Sequence, residues 1–361
     1  MESLNSASKI LESGRPISRL LIIRLSAMGD LLHALPAVGA LRIALPQTLL
    51  TWVVEERWAD LVSCAFVDGD GFRRALVDQL HRVNFQLWRD SLGARRTWRE
   101  IARNIELLRN SAYDLAIDFQ GAVRSSVLAR LSRAPSIYGF SEAREKMASM
   151  WYTTKVSPPG KHVIEHNMWL ASAVAGTGLP LPQIAFDSPD CRRGASAGVR
   201  SASYIILNPG AGWGAKQWPP ERYGEVAKRL ARETGLGSLV NTGPGEENLT
   251  RTVQMISQGA ATPISCSPLE LVSIMRFARL LIGGDTGPMH LAAALRIPVV
   301  AIFGPTDPSR TGPFGTRSAV LRNPKSQTIR SHRSSPDFAM LEISPDEVVG
   351  AALDLLRDSG D

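Results

Sequence analysis

Apolar strands alternate with amphipathic helices in two separate stretches of this 361-residue chain. In the first stretch the sequence predicts strands at 20–25, 50–54 and 115–119, and helices at 31–44, 97–108, 122–131 and 163–174. In the second stretch it predicts strands at 204–207, 238–241, 280–282 and 298–303, and helices at 221–233, 249–256, 269–277 and directly after residue 286. Parallel strands need a long crossover connection, usually a helix, so each stretch predicts a parallel α/β sheet.

The chain length also favours two domains, because single cores stop growing at about 250–300 residues. We predict a loose leader at 1–19, an N-terminal domain at 20–177, a linker at 178–200, a C-terminal domain at 201–340 and a capped terminal helix at 344–357. The linker is rich in glycine and proline and has no periodic apolar face. Residues 67–96 are irregular and predict a long surface connection.

The chain carries 41 lysines and arginines against 34 acids, a formal net charge of +7. This excess favours anionic partners such as lipid headgroups or phosphorylated substrates. Nucleic acid is the weaker interpretation, because neither zinc-finger spacing nor an aromatic RNA-binding signature is present. No apolar run approaches the ~20 residues that span a bilayer. Three widely spaced cysteines predict neither a metal site nor a disulfide framework, and they fit a reducing cytoplasm.

A strand that breaks at two glycines and restarts as a helix, over residues 280–294, predicts an anion site. The unpaired backbone N–H groups of a first helical turn, with the helix dipole behind them, favour a phosphate. Thr286 and His290 add side-chain donors on the same side. Asp285 either holds Thr286 or caps the helix through backbone N–H groups.

Two further glycine-rich turns follow predicted strands in the same half. At 208–219, three glycines and Lys216 bind phosphate, or they form a flexible turn with a solvated lysine. At 241–247, Glu246 accepts ribose hydroxyls, or it complements the dipole of the following helix. The residues alone leave both alternatives open.

Polar side chains also follow strands in the first half. Asp30 lies where the first strand turns into the first helix. It caps that helix or, if the two sheets face each other across a cleft, takes a proton from a hydroxyl nucleophile. Gln120 and Arg124 lie where another helix begins, and they either form a second anion-friendly site for an acidic acceptor or are ordinary residues of a helix start. The acidic DxD spacing at 68–70 falls in the irregular stretch, where a solvated turn is commoner than a metal site.

Together these motifs resemble the heptosyltransferases of lipopolysaccharide core assembly, glycosyltransferase family 9. They occur in family order over roughly residues 20 to 315, which a chance motif would not achieve. They are 24–36, 52–56, 113–121, 143–149, Lys216-Gln217-Trp218-Pro219, Asp285-Thr286-Gly287 with His290, and 304–308. The segment 138–162 most resembles the members that act first, on the Kdo sugars of lipid A precursors.

The resemblance implies a GT-B architecture, in which two Rossmann-like domains with parallel sheets face each other across a cleft and the terminal helix packs back toward the N-terminal domain. It implies inverting, metal-independent transfer of heptose from ADP-heptose to an anionic, lipid-linked, Kdo-containing acceptor, with no cofactor. The basic charge suits a peripheral enzyme at the inner face of the cytoplasmic membrane.

The resemblance also assigns residue roles. The family's catalytic aspartate falls on Asp30, and its ribose-binding glutamate falls on Glu246 or its neighbour Glu247. The implied donor contacts are Ala211, Gly212, Lys216, Glu246, Asp285, Thr286, Gly287 and His290. The implied acceptor contacts are Arg24, Met28, Gly29, Gln120 and Arg124.

This chain departs from the family pattern at several positions. Ala211 and Gly212 stand where some members carry hydroxyl residues, so contacts there would come from backbone N–H groups. Arg24 and Arg124 replace family lysines, which keeps the charge but changes the donor geometry. A same-fold transferase with another donor or a later core acceptor, and a non-catalytic nucleotide-sugar-binding protein, remain alternatives. A dinucleotide oxidoreductase is disfavoured, because GxGxxG spacing is missing after both first strands.

Overall fold

A computed structural model of the chain describes residues 16–69, 72–187, 203–328 and 337–357. The chain divides into two compact units, Met1–Asp187 and Ser188–Asp361. Most of the predicted leader, residue 70 of the DxD spacing and residues 188–200 of the predicted linker lie outside the described residues.

The N-terminal unit alternates strands and helices as predicted, with additional short strands. Its strands are β1 (Arg19–Ile23), β2 (Leu49–Glu55), β3 (Ala65–Gly69), β4 (Phe72–Ala75), β5 (Gln79–Val83), β6 (Leu115–Asp118), β7 (Ser136–Phe140), β8 (Thr154–Val156) and β9 (Ile184–Phe186). Its α-helices are α1 (Met28–Ala44), α2 (Glu56–Ser63), α3 (Phe85–Asp90), α4 (Arg95–Asn110), α5 (Val123–Leu131) and α6 (Val163–Ala175).

The central sheet of this unit has the strand order β5-β2-β1-β6-β7-β8, and its neighbouring strands are parallel. Counted within the sheet, this is the Rossmann order 3-2-1-4-5-6. The last four residues of β1 are buried because the sheet lies inside the unit, which explains their unbroken apolar run. A small antiparallel sheet, β4-β3-β9, lies beside it in the same unit.

The C-terminal unit repeats the same arrangement. Its strands are β10 (Tyr204–Asn208), β11 (Gly237–Asn241), β12 (Ala261–Ile264), β13 (Ala278–Gly284), β14 (Val299–Phe303) and β15 (Ser318–Arg322). Its α-helices are α7 (Pro220–Thr234), α8 (Glu247–Ile256), α9 (Pro268–Met275), α10 (Gly287–Ala294), α11 (Pro308–Thr311) and α12 (Pro345–Arg357). The parallel sheet order β12-β11-β10-β13-β14-β15 is again 3-2-1-4-5-6.

The terminal helix α12 belongs to the core of the C-terminal unit. Val348, Val349 and Ala352 are buried in one cluster with Trp218. The helix start has the predicted cap, in which the Ser344 Oγ accepts the N–H of the third helical residue at 3.3 Å. The expectation that α12 also packs toward the N-terminal domain stays a prediction.

One prediction about an irregular segment is wrong. The stretch 67–96 is not a long connection, since it contains β4, β5 and α3. The strand β5 could not be predicted because it lies at the sheet edge, where only Val83 is buried, and so lacks an apolar run. The predicted linker contains the short strand β9, which pairs with β3, and the division between the two units, after Asp187, falls within it. Among the described residues, no helix combines the length and apolar character needed to cross a bilayer.

Candidate active site

The strand order decides where each unit can bind a ligand. In a sheet of order 3-2-1-4-5-6, the chain leaves strands 1 and 4 in opposite directions, and a crevice opens beyond their carboxyl ends. Strands 1 and 4 are β1 and β6 in the N-terminal unit, and β10 and β13 in the C-terminal unit. Most of the predicted site residues follow these four strands, and topology therefore groups them into one cluster per unit.

The β1–β6 cluster consists of Arg24, Asp30, Gln120 and Arg124. The buried guanidinium of Arg24 bonds to the Phe119 carbonyl, and its Nη2 lies 2.7 Å from Oδ1 of Asp30. The other oxygen of Asp30 accepts the Ala27 N–H at 3.3 Å, at the start of α1. Asp30 therefore caps the helix and is oriented by Arg24, while 34% of its side chain stays exposed to solvent.

The remaining acceptor candidates surround this pair. Gln120 is buried, and its Oε1 accepts the Leu25 N–H at 3.0 Å. Its amide nitrogen has no hydrogen-bond partner within the described part of the chain. Arg124 donates to the Ser26 Oγ at 3.2 Å and lies 5.8 Å from the centre of the Phe85 ring. Such donors are suited to an anionic acceptor.

The two other predicted acceptor contacts, Met28 and Gly29, open α1. Both are buried in the first helical turn. Their placement shows that the helix begins three residues earlier than predicted.

A buried carboxylate that the sequence analysis missed holds the turn after β6. Asp118 is fully buried and accepts hydrogen bonds from the Ser125 hydroxyl at 2.8 Å and the Tyr152 hydroxyl at 2.7 Å. It also accepts the N–H groups of Gln120 at 2.8 Å and Gly121 at 3.2 Å. Burial raises the pKa of Asp118, and these hydrogen bonds oppose the shift. Such a network fixes the position of the loop.

Glu55 ends β2 and is a second buried carboxyl in this unit. Burial raises its pKa, and the nearby charges of Arg57 and Arg124 act in the opposite direction. A buried acid with a perturbed pKa beside an arginine is typical of functional sites.

The β10–β13 cluster consists of Asn208, Lys216, Asp285, Thr286 and His290. Asp285 lies at its centre, with only 7% of its side chain exposed. Its Oδ2 is 2.6 Å from the Lys216 Nζ, and its Oδ1 is 3.2 Å from the His290 Nε2. Burial opposes ionisation, but His290 and Lys216 outweigh it and hold the pKa of Asp285 well below its usual range.

The predicted roles of Asp285 as a helix cap or as a partner of Thr286 are wrong. Thr286 itself is the residue that precedes α10 in the N-cap position. The two oxygens of the Asp285 carboxylate instead form hydrogen bonds with the Lys216 ammonium and the His290 ring.

Lys216 is held from a second side by an aromatic ring. It ends a short 3-10 turn, Gly214–Lys216, and its Nζ lies 5.0 Å from the centre of the Trp213 ring. The backbone of this turn lies against β13, because a Cβ on Gly284 would be 3.1 Å from the Lys216 carbonyl oxygen. This close approach brings Lys216 to the start of α10.

Thr286 is connected to a chain of buried amides. Its Oγ1 donates to the Gly284 carbonyl at 3.3 Å and accepts from the Asn208 amide at 3.1 Å. Asn241 in turn donates to the Asn208 Oδ1 at 2.8 Å. Neither asparagine was predicted as a site residue. The signal that could have identified them is a polar residue at the end of an apolar strand, because Asn208 ends β10 and Asn241 ends β11.

The N-terminal turn of α10 has the geometry that the anion prediction requires. The N–H groups of Gly287 and Met289 have no carbonyl one turn earlier, because they open the helix. The intervening Pro288 has no N–H to satisfy. The Lys216 ammonium bonds to Asp285, the residue directly before the N-cap of α10. It therefore lies beside the positive end of the helix dipole.

Glu246 lies over the carboxyl end of β10. A Cβ on Gly210 would be 2.1 Å from both of its carboxyl oxygens, and its Oε2 accepts the Gly243 N–H at 2.8 Å. Burial raises the pKa of Glu246. Glu247 is exposed and lies near Gly245. Of the two acids proposed from the sequence, Glu246 is the one against the strand ends.

The loop between β10 and Lys216 contains the two predicted backbone donors. The Ala211 carbonyl accepts from the Gln217 amide at 3.4 Å, and Gly212 is exposed.

In the described ranges, no group of three or more histidines, cysteines and acids is arranged to hold a metal ion.

Comparison with known proteins agrees with this arrangement. Residues 101–338 match the sequence profile of glycosyltransferase family 9 (heptosyltransferase). The chain belongs to this family. It is therefore a glycosyltransferase, and its two α/β units have the predicted GT-B fold class.

Two relatives and one solved structure illustrate the similarity. The chain is 30% identical over 307 residues to lipopolysaccharide heptosyltransferase 1 of Pseudomonas aeruginosa, covering 84% of this chain and 82% of that protein. It is 28% identical over 318 residues to lipopolysaccharide heptosyltransferase 1 of Escherichia coli K12, covering 86% and 95%. The structure of the E. coli heptosyltransferase WaaC with ADP superposes with a TM-score of 0.76 at 25% identity, covering 93% of this chain and 99% of that one.

Proposed function

We propose that this protein transfers heptose from ADP-heptose to a Kdo-containing lipid A or inner-core lipopolysaccharide acceptor, with inversion at the anomeric carbon and without a metal ion. The observation that carries the proposal is the group of partly buried Lys216 with buried Asp285 and His290 at the start of α10. A related structure binds ADP-2-deoxy-2-fluoro heptose, with 25% identity and a TM-score of 0.73.

The β10–β13 cluster supplies what a leaving diphosphate needs. Negative charge grows on the diphosphate as the glycosidic bond breaks. Lys216 and the N-terminal turn of α10 stabilise that charge most in the transition state, because their positions are fixed in advance. Asp285 orients the Lys216 ammonium and the His290 ring. These donors do the work that a divalent cation performs in other transferases.

The β1–β6 cluster supplies the base and the acceptor contacts. Asp30 takes the proton of an acceptor hydroxyl, which attacks the anomeric carbon from the face opposite the diphosphate. A single displacement of this kind inverts the centre. Arg24 keeps the carboxylate oriented at 2.7 Å. The guanidinium of Arg124 and the amide of Gln120 bind the acidic groups of the acceptor sugar.

We place this reaction at the inner face of the cytoplasmic membrane, where the basic chain meets an anionic, lipid-linked acceptor. An odd number of widely spaced cysteines suits a reducing compartment. No cofactor is needed in this scheme, since the nucleotide sugar is a substrate.

The decisive experiment incubates the purified protein with ADP-heptose and a Kdo-bearing lipid A precursor. We expect a product heavier by one heptose, with an inverted anomeric centre by NMR, and an unchanged rate in the presence of EDTA. Parallel reactions with GDP- and UDP-sugars test a different donor. Binding of ADP-heptose without any product would favour a non-catalytic binding protein, and loss of rate in EDTA would contradict the metal-independent mechanism.

A further inference from the structure

The surface of the N-terminal unit carries a basic amphipathic helix that the proposed chemistry does not use. Along the 16 residues of α4, only Thr97 and Leu108 are buried. Arg95, Arg96, Arg99 and Arg103 fall within about 100° of the helix circumference, on the exposed side, and one exposed acid, Glu106, shares that arc. We call the four arginines the arginine stripe. Within the described ranges none of them makes an ion pair.

Large apolar side chains border the stripe and are also exposed. Trp98 is 58% exposed, Leu107 is 51% exposed, and both lie on α4 beside the arginines. Leu87 and Leu92, just before the helix, are 52% and 49% exposed. The Trp98 indole donates to the Leu92 carbonyl at 2.8 Å, which holds the ring at the surface. Apolar side chains gathered beside cations are typical of segments that lie in a membrane interface.

The arginine stripe begins where the helix itself disfavours cations. The N-terminal end of a helix is electropositive and is stabilised by acids, but the first turn of α4 contains none and carries Arg95 and Arg96 instead. The charges of Arg95 and Arg96 therefore do not stabilise the helix. A departure of this kind from local preference points to a role in binding.

Side-chain contacts connect this surface to the β1–β6 cluster. Arg124 lies over the Phe85 ring, and Phe85 packs edge-on against Trp88 with ring centres 5.2 Å apart. Trp88 donates to Glu100 of α4 at 3.0 Å. Because α4 follows β5 in a crossover, its first turns lie at the carboxyl edge of the sheet, where Arg124 also lies.

We propose that the arginine stripe and its apolar border dock the protein on an anionic phospholipid membrane. This inference rests on the proposed function, in which the acceptor is lipid-linked and binds at the same edge of the N-terminal unit. Arginines attract anionic headgroups, while tryptophan and leucine enter the headgroup and acyl boundary. A nucleic acid backbone would leave Trp98 and Leu107 without an apolar partner.

The test measures partition of the full chain onto vesicles of phosphatidylcholine, with and without phosphatidylglycerol. One cation near such a surface contributes roughly five-fold in partition, so Arg95→Gln, Arg96→Gln and Arg99→Gln together should weaken binding to the anionic vesicles by about 100-fold. The matched control, Lys228→Gln, Arg232→Gln and Arg251→Gln, removes the same charge from exposed positions of the C-terminal unit and should weaken binding far less.

The apolar border is tested by Trp98→Ala, which should weaken binding to anionic vesicles while leaving thermal unfolding unchanged. Its control is Met255→Ala, which removes a side chain that is 69% exposed in the C-terminal unit. Equal loss of vesicle binding in the stripe variant and in its charge control would overturn the proposal. A stripe variant that lost heparin binding but kept full vesicle binding would also overturn it, because the partner would then be a nucleic acid or another polyanion.

Transfer to a delipidated, soluble Kdo acceptor separates this proposal from the proposed function. The stripe variant should keep the wild-type rate on that acceptor, and a parallel loss there would overturn the docking role. Vesicle binding without any heptose transfer would refute the proposed function and leave the docking surface supported.

Discussion

Replacing Gly210 with alanine should displace one specific carboxylate. The new Cβ would lie 2.1 Å from Glu246 carboxyl oxygens, a distance that no real structure tolerates. The backbone of Gly210 is not in the left-handed region, so alanine is compatible with it. The Glu246 side chain is the flexible partner and moves away. The unfolding free energy should therefore change by less than about 1 kcal/mol.

The loss of ADP affinity follows from what the carboxylate is proposed to bind. Hydrogen bonds to a charged group contribute about 1.5–3 kcal/mol each. Displacing Glu246 from the ribose hydroxyls should cost about 2–3 kcal/mol, or roughly 30- to 150-fold in Kd. Isothermal titration calorimetry with ADP measures this directly. The control Gly237→Ala places a Cβ where no atom lies within 4 Å and should bind ADP normally.

A double-mutant cycle shows whether both residues act through one carboxylate. Glu246→Ala removes that group, so adding Gly210→Ala to it should cost nothing further. Fully additive losses would mean that the alanine at Gly210 disturbs something else. Wild-type ADP affinity in Gly210→Ala would refute the placement of Glu246 in the donor site.

Three further changes test the two clusters. Asp30→Asn should lower kcat by roughly 10²- to 10⁴-fold with ADP affinity unchanged, and an equal loss of both would contradict a base role. Lys216→Ala should weaken ADP binding by about 1.5–3 kcal/mol in calorimetry and AMP binding much less, and equal losses would remove the lysine from the diphosphate site. Asp285→Asn should lower the unfolding free energy in urea by about 3–5 kcal/mol at pH 7. Because the folded-state pKa of Asp285 is depressed, its contribution is complete above the unfolded pKa of about 3.9 and is lost only in strong acid. A stability difference that vanished near pH 6 would contradict this assignment.

The central strands could be predicted from the sequence because burial on both faces leaves an unbroken apolar run. β10 and β14 are buried throughout and lie within a residue of their predicted bounds. The edge strands β5 and β15 carry exposed polar residues, and β9 has only three residues. Such strands are defined by the neighbour with which they pair, and the sequence of one segment does not contain that information.

The candidate site could be predicted as a set of loops but not as a set of contacts. Glycines after strands identified the turns at Lys216 and Asp285. The ion pair between these residues joins positions far apart in sequence, and it depends on the parallel register that pairs Asn208 with Gly283. The orientation of Trp213 over the lysine depends on the same packing.

The two clusters also show why only one of their central aspartates is suited to accept a proton. Asp285 is almost fully buried, is bonded to two donors and has a strongly depressed pKa, so protonating it would break contacts that orient Lys216 and His290. Asp30 also has two donors, Arg24 and the Ala27 N–H, but it keeps 34% of its side chain open to solvent. An acceptor hydroxyl can reach that carboxylate without dismantling a buried ion pair. In the proposed mechanism, burial therefore favours Asp30 as the base and Asp285 as the residue that orients Lys216 and His290.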